Sequence, residues 1–322
     1  MIIGVDVGGT KIAVAGFVEG SAGGSAGSAG RGSARLRMVT DVRTVPTPAD
    51  AGGPAVVRVV ADVIAGLCDG AELTAVGIGT AGVVGADGGI FSATDAIAGW
   101  AGFPLPTAMA DALAGIGADG IRVAVVNDVH AAAVAEAQIG AGAGSDSILM
   151  AAVGTGIGGA VVFADGLHRG ATGTAGSLGH AEVVMPDSLA ARQCPCGGHG
   201  HVEAAASGPA MEQTYLEKSG VRAGLREIDA LAQRGDAMAI EVIDDGARFL
   251  GRVLASANAL LDVDTIVIGG GVAEIGSRYL GAVESSYRTS ALPGPSRARI
   301  VPAELAVDAT LTGAAILAHA LS

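Results

Sequence analysis

Residues 2–20 read IIGVDVGGTKIAVAGFVEG, and residues 148–166 read ILMAAVGTGIGGAVVFADG. The two stretches align without a gap at a constant offset of 146 (148 minus 2): Val7 meets Val153, Gly8 meets Gly154, Phe17 meets Phe163 and Gly20 meets Gly166. In each, two apolar, β-branched runs too short to prefer helix flank a glycine turn, which predicts a strand, a turn and a second strand. An Ala/Gly/Val-rich chain offers some such matches by composition alone. Two hairpins that head the two halves of the chain predict more, a duplicated architecture with a ligand in the cleft between facing lobes.

Working outward, Ala55–Leu67 has apolar residues at helical spacing, and Ala75–Ile78 is a buried strand ending in Gly79-Thr-Ala-Gly82. Val123–Val126 is a strand that stops at Asn127-Asp128 and leads into an Ala-rich helix to about Ile139. The class is α/β, and at this length two domains are expected. Ser21–Ser33, almost all Gly, Ser and Ala, reads as a flexible loop. The 53 glycines have no three-residue period, which excludes collagen, and a 50% hydrophobic, 16% charged chain is too apolar for disorder. A net charge of -13 with no Lys/Arg cluster, and only 3% aromatics, argues against a nucleic-acid partner. With neither a signal-like N-terminus nor about 18 uninterrupted apolar residues, the expected protein is cytoplasmic and not membrane-bound.

The glycine turns carry the first chemical signal. Without Cβ atoms, successive backbone N–H groups can approach one anion closely. Gly154-Thr155-Gly156-Ile-Gly-Gly159 satisfies the dinucleotide fingerprint literally, but a strand follows it where that motif needs a helix. No Walker A string occurs. Asp6 stands beside the first turn where the second has Ala152, and one carboxylate there suits Mg2+ on a nucleotide. Ile266–Gly271 is a strand ending in Gly269, Gly270 and Gly271, suited either to close approach by a flat ligand such as adenosine or to an ordinary turn. Asp128 opens a helix, where N-cap is the commoner job for Asp; facing a bound phosphate it is also a candidate acceptor for the proton of an attacking hydroxyl, and position alone does not decide. Finally, Cys194-Pro-Cys196-Gly-Gly-His199-Gly-His201 packs four soft or borderline metal ligands into eight residues, with His180 fourteen upstream of Cys194. Such a Cys2His2 set suits a closed, structural zinc site.

Together these motifs resemble the ROK family (repressor, open reading frame, kinase) of bacterial sugar kinases, nearly end to end. The segments are Asp6-Val-Gly-Gly-Thr-Lys11, Gly79–Gly82, Asn127-Asp128, Gly154–Gly156, Gly173–His180, Cys194–Glu203, Gly269–Gly271 and a late Gly313-Ala-Ala helix. The resemblance implies the duplicated actin/hexokinase-like (ribonuclease H-like) two-lobed clamp. It implies an N-terminal lobe over 1–122 on which a helix at 309–322 packs back, and a larger lobe over 123–308 holding a zinc segment at 180–203. It further implies that Asp6, Gly8, Gly9, Thr10, Lys11, Gly154, Thr155, Gly156 and Gly269–Gly271 bind ATP with Mg2+, and that Asp128 is the general base. Gly82, Asp95, Asn127, Asp128, His180 and Glu203 would hold a hexose or hexosamine. His180, Cys194, Cys196 and His201 would hold Zn2+, with His201 in place of the family's third cysteine. Relatives are commonly dimers, so a homodimer is expected.

Two departures fall on the sugar side. Ser177 stands where the family usually has Glu, and Thr94–Trp100 lacks the usual Asn, so glucose is expected to be a poor substrate unless Asp95 substitutes. The repressor branch would need a DNA-binding domain before Gly8, for which there is no room. A catalytically weak sugar sensor is the competing reading, and the presence of Asp6 and Asp128 argues against it.

Overall fold

The computed structural model describes residues 1–20, 36–68 and 70–320, so the Gly/Ser-rich stretch at 21–33 lies outside the described residues. It divides into two units, one of residues 1–139, 169–174 and 307–322, the other of residues 140–168 and 175–306.

The first unit is built on a mixed sheet. The strands are β1 (Ile2–Val7), β2 (Lys11–Glu19), β3 (Leu36–Met38), β4 (Arg43–Pro46), β5 (Ala75–Thr80), the small hairpin β6 (Val83–Val84) with β7 (Ile90–Ser92), and β8 (Arg122–Asn127). The sheet runs β3-β2-β1-β5-β8, with β4 also on β2; β1, β5 and β8 are parallel and β2 is antiparallel to β1. Helices α1 (Gly52–Cys68), α2 (Leu105–Gly115) and α3 (Asp128–Ile139) complete the unit's N-terminal part. Helix α1 and the turn before it are long and apolar enough to cross a membrane, yet Val56, Val57, Val60, Ala61 and Ile64 lie in the core. Arg58 and Asp62 occupy the exposed face, the pattern of a core helix.

The second unit repeats the plan with β9 (Ile148–Val153), β10 (Ile157–Phe163), β11 (Gly166–His168), β12 (Thr265–Gly269) and β13 (Arg299–Pro302), in the order β11-β10-β9-β12-β13. Its helices are α4 (Asp187–Ala190), α5 (Glu203–Ala206), α6 (Gly208–Ser219), α7 (Leu225–Gln233), α8 (Ala237–Leu261) and α9 (Ser277–Ser290). Asp236 caps α8 by accepting the Ala239 N–H at 2.8 Å. Buried Asn258 joins α8 to α9, donating to the Tyr287 hydroxyl at 2.7 Å and accepting the Val263 N–H at 2.7 Å.

The two hairpins correspond as the sequence offset predicts, with one difference. Val7 pairs with Ile12 across a four-residue turn, whereas Val153 pairs with Ile157 across three residues. The second hairpin therefore closes one residue tighter, although the sequences align without a gap.

The last helix, α10 (Ala309–His319), returns to the first unit and packs on β1, β5 and α3. Its approach needs glycine on both sides: a Cβ at Gly77 of β5 would overlap the Ala314 carbonyl, and one at Gly313 of α10 would overlap the Ala131 carbonyl. Gly77→Val is expected to cost about 3 kcal/mol of unfolding free energy, since neither backbone can yield without separating helix from sheet. Urea denaturation checks this, and a cost near zero would contradict the close packing. The sequence places a lobe boundary near residue 122. In the structure β8 pairs with β5 along its length and α3 packs on α10, so this strand and helix belong to the first unit.

Candidate active site and metal cluster

In the first unit the parallel strands bring their C-terminal ends into one row: Asp6 pairs with Gly79 and Gly79 with Val126, then Val7 with Thr80 and Thr80 with Asn127. This is the end of a parallel sheet at which ligands are commonly held. Asn127 settles the capping question left open by the sequence. Its Oδ1 accepts the N–H of Val129 at 2.9 Å and of His130 at 3.2 Å, so Asn127 caps α3, while its Nδ2 donates to the Gly82 carbonyl at 3.0 Å. Gly82 has φ +103, and a Cβ there would lie 2.6 Å from Ser92 O.

Asp128 follows in the first turn of α3, its Oδ1 accepting the Val129 N–H at 2.9 Å. Burial raises its carboxyl above the usual range, opposed by that N–H and by nearby His130 and Asn127. Asp6 is pushed up to about 6, first by burial and then by the charge of Asp128, with Lys11 acting the other way. Two carboxylates and a lysine thus influence one another at the strand ends. The glycine turn is closed by Gly8 N–H to Lys11 O at 3.0 Å and buttressed by the Thr47 hydroxyl donating to Gly8 O at 2.7 Å. Thr10 and Lys11 are exposed on it, and Gly9 lies against Ala96, where a Cβ would come within 3.1 Å of the Ala96 methyl. Asp95 is exposed on the segment after β7.

A pH effect follows from Asp6. Its folded-state value of about 6 exceeds the ordinary 3.8, so the proton is held more tightly in the folded chain. The associated stability is present below pH 3.8 and lost as pH rises through about 6. Asp6→Asn is therefore expected to raise unfolding free energy at pH 8 by about 2 to 3 kcal/mol, the gain vanishing below about pH 4. Urea melts at the two pH values check this; a gain independent of pH would contradict it.

In the second unit the turn Gly154-Thr155-Gly156 joins β9 to β10. Gly154 O accepts the Gly208 N–H at 2.9 Å, and Glu203 Oε2 accepts the Ile157 N–H at 2.7 Å. Gly154, Thr155 and Gly271 line a cavity of about 710 Å3 together with Gly208, Pro209, Glu212, Leu225 and Val272. Gly270 lies behind that wall with φ +86, where a Cβ would overlap the Val153 backbone, and Gly269 ends β12 against Met150. The walls from α6 and the start of α7 carry no motif. Their sequence trace is Gly208-Pro209, with proline in the first turn of a helix that Ser207 caps.

His180, Cys194, Cys196 and His201 come together with their ligand atoms all within 4.8 Å of one another. Cys196 Sγ lies 3.3 Å from His201 Nδ1, and Cys194 Sγ 3.6 Å from His180 Nδ1. Tetrahedral Zn2+ with bonds of about 2.0 to 2.3 Å puts its ligands about 3.3 to 3.8 Å apart, the spacing of these two pairs, and two thiols with two imidazoles are donor types that suit the ion. The knuckle is shaped by Cys194 N–H to Gly198 O and Gly197 N–H to Cys194 O, both 2.8 Å, with Gly197 at φ +90. Burial pushes the Cys194 thiol up to about 12, so a cation binding there displaces a proton. His199 stands outside the cluster.

Comparison with known proteins gives the same family over the whole chain. The model of the ROK family matches residues 2–321. The glucokinase of Streptomyces coelicolor is 31% identical over 338 residues, covering 99% of this chain and 98% of that protein. Among solved structures, the ROK hexokinase of Thermus thermophilus superposes with a TM-score of 0.82 at 31% identity, covering 99% and 98% of the two chains. A ROK family glucokinase from Streptomyces griseus, solved in complex with glucose and AMPPNP, gives 0.75 at 31% identity with 99% of each chain covered.

Proposed function

The chain belongs to the ROK family and is an ATP-dependent sugar kinase, and from that premise we propose that Asp128 is the general base for phosphorylation of a hexose or hexosamine hydroxyl. The observation that carries this reading is the division of labour at the head of α3. Asn127 does the capping, and a half-buried carboxylate with raised proton affinity follows it at the ends of three parallel strands.

In the reaction, Asp128 accepts the hydroxyl proton as the sugar oxygen attacks the γ-phosphorus. The bond from that phosphorus to the bridging oxygen breaks, and its electron pair leaves with ADP. Catalysis then rests on positioning and charge neutralisation. The turns Gly8–Lys11 and Gly154–Gly156 are assigned to the phosphates, through N–H groups other than those of Gly8 and Gly154, which close the turns onto Lys11 O and Gly156 O, and the cavity beside Gly271 is assigned to the nucleoside. Asp6 would hold Mg2+, which when bound supplies positive charge at the phosphates; the repulsion between Asp6 and Asp128 fits a cation-binding place. His180, Cys194, Cys196 and His201 would hold Zn2+, whose four protein ligands leave it a structural role. Gly82, Asp95, Asn127 and Glu203 are proposed sugar contacts. Asn127 reaches the sugar only with what its bonds to Gly82 and α3 leave over. The reading also includes a cytoplasmic homodimer.

The test is ADP release from MgATP across hexoses, N-acetylhexosamines and polyols. At least one hexose or hexosamine is expected to raise it strongly, and a panel in which none does would end the reading. The glucokinase relatives make glucose the first sugar to try, whereas Ser177 predicts weak use of it. We expect kcat/KM for glucose below about 10⁵ M⁻¹s⁻¹, the ordinary range for enzymes on their own substrates, and a rise on Ser177→Glu. A wild-type value at that level would show that Ser177 costs nothing.

A further inference from the structure

Four residues meet at the side chain of Glu203. Its Oε2 accepts the N–H of Ile157, the first residue after the Gly154–Gly156 turn, at 2.7 Å. Its Oε1 lies 3.4 Å from Cys194 Sγ, which donates to it while the thiol keeps its proton. Gly156 and Gly179 press against the same carboxylate, for a Cβ at either would meet Oε2 at 2.7 and 3.1 Å respectively. Five residues further on, the Gly208 N–H donates to Gly154 O at 2.9 Å. One short stretch of chain, 203–208, therefore holds the turn on both flanks.

That stretch is in turn held by the metal cluster. His201 lies two residues before Glu203, and the Val202 N–H donates to Ala181 O at 3.0 Å, next to His180. Arg192, two residues before Cys194, donates to Ala210 O at 3.1 Å and Thr214 Oγ1 at 2.8 Å, tying the knuckle to α6. A glycine turn has wide backbone freedom and keeps one anion-binding geometry only if its surroundings impose it. Here the surroundings are anchored by the four ligand residues.

We propose that Glu203 is a positioning residue through which a metal ion at His180, Cys194, Cys196 and His201 sets the Gly154–Gly156 turn, so that nucleotide affinity follows metal occupancy. This rests on the reading of that turn as a phosphate site. Loss of the metal frees His201, two residues before Glu203, and returns a proton to Cys194, whose thiol then competes for the Glu203 carboxylate, so the Ile157 N–H loses a fixed charged acceptor. Groups that orient a site from behind its ligands commonly change affinity by about tenfold or more.

The test uses the full-length chain and two readouts: calorimetric titration with ADP and hydrogen exchange at the Ile157 amide. Wild type with zinc is compared with the zinc-stripped protein, Glu203→Ala and Glu203→Gln, with zinc content measured for each. Stripped wild type and zinc-loaded Glu203→Ala are expected to bind ADP about tenfold or more weakly, with faster exchange at Ile157. Glu203→Gln, whose amide oxygen can accept the Ile157 N–H, is expected to recover most of the affinity. Unchanged ADP affinity and exchange in zinc-loaded Glu203→Ala would overturn the proposal, whether or not sugar binding is altered. If stripping unfolds the chain, that zinc-loaded comparison decides alone. Zinc-loaded wild type that fails to bind ADP would overturn instead the phosphate reading on which the proposal rests.

Discussion

Asp128→Asn is expected to lower kcat by about 10²- to 10⁴-fold, the range ascribed to a positioned general base, while leaving nucleotide and sugar binding within about threefold of wild type. Asparagine keeps the shape of aspartate and can still accept the Val129 N–H, so the head of α3 and the Asn127 cap have no reason to move. What is lost is the group that takes the proton. A loss confined to kcat marks an interaction made in the transition state, whereas a rise in KM alone would mark a sugar ligand. The acid limb of the wild-type profile should agree: carboxylates raised by burial must lose their protons before they serve, so kcat/KM should fall as pH drops through about 6, the value at Asp6. The variant also separates a kinase from a sugar sensor, because sensing needs no proton acceptor. Wild-type-like turnover in Asp128→Asn would end the assignment.

The second large effect is expected from the metal cluster. Protein purified without chelator should carry one zinc per chain, and Cys196→Ser or chelation should remove it. The segment from His180 to Glu203 has one four-residue helix, α4, and isolated bridges between Glu182 and His201 and between Gln193 and His199, with little regular structure to hold it otherwise. Four ligand bonds are worth about 10 kcal/mol or more in small zinc domains, and even a fraction of that would decide whether this segment stays closed. Metal-free protein is therefore expected to be cut rapidly by trypsin after Arg192, a side chain that in the closed form is bonded to α6 and to Glu217 at 2.6 Å. Equal trypsin resistance with and without the metal would contradict a structural role.

Much of this was readable from residue order because the deciding signals are local. The β-branched runs around Gly8 and Gly154 place the hairpins, and the Cys-x-Cys knuckle with its histidines places a metal cluster. What escaped depends on contacts between distant residues. Asn127 and Asp128 are both good capping residues, and the choice is made by the Gly82 carbonyl, 45 residues away, which orients the Asn127 amide. The tighter second hairpin is hidden because the sequences align without a gap while the strand pairing shifts by one. Gly208, Glu212 and Leu225 line the cavity through the packing of α6 against the loop into α7, fixed by Glu212 accepting the Leu225 N–H at 2.8 Å, and no spacing rule announces that. The unit boundary moved for the same reason: β8 looks like the start of something new until its pairing with β5 is seen.

The central claim is phosphoryl transfer from ATP to a sugar hydroxyl, and phosphorus NMR of one reaction mixture tests it most directly. Full-length protein is incubated with MgATP and the sugar that most raises ADP release, and the products are followed together. The account predicts a new sugar phosphomonoester signal growing one for one with ADP, absent in Asp128→Asn. ADP accompanied only by inorganic phosphate, or an ester signal that persists at full rate in Asp128→Asn, would contradict it.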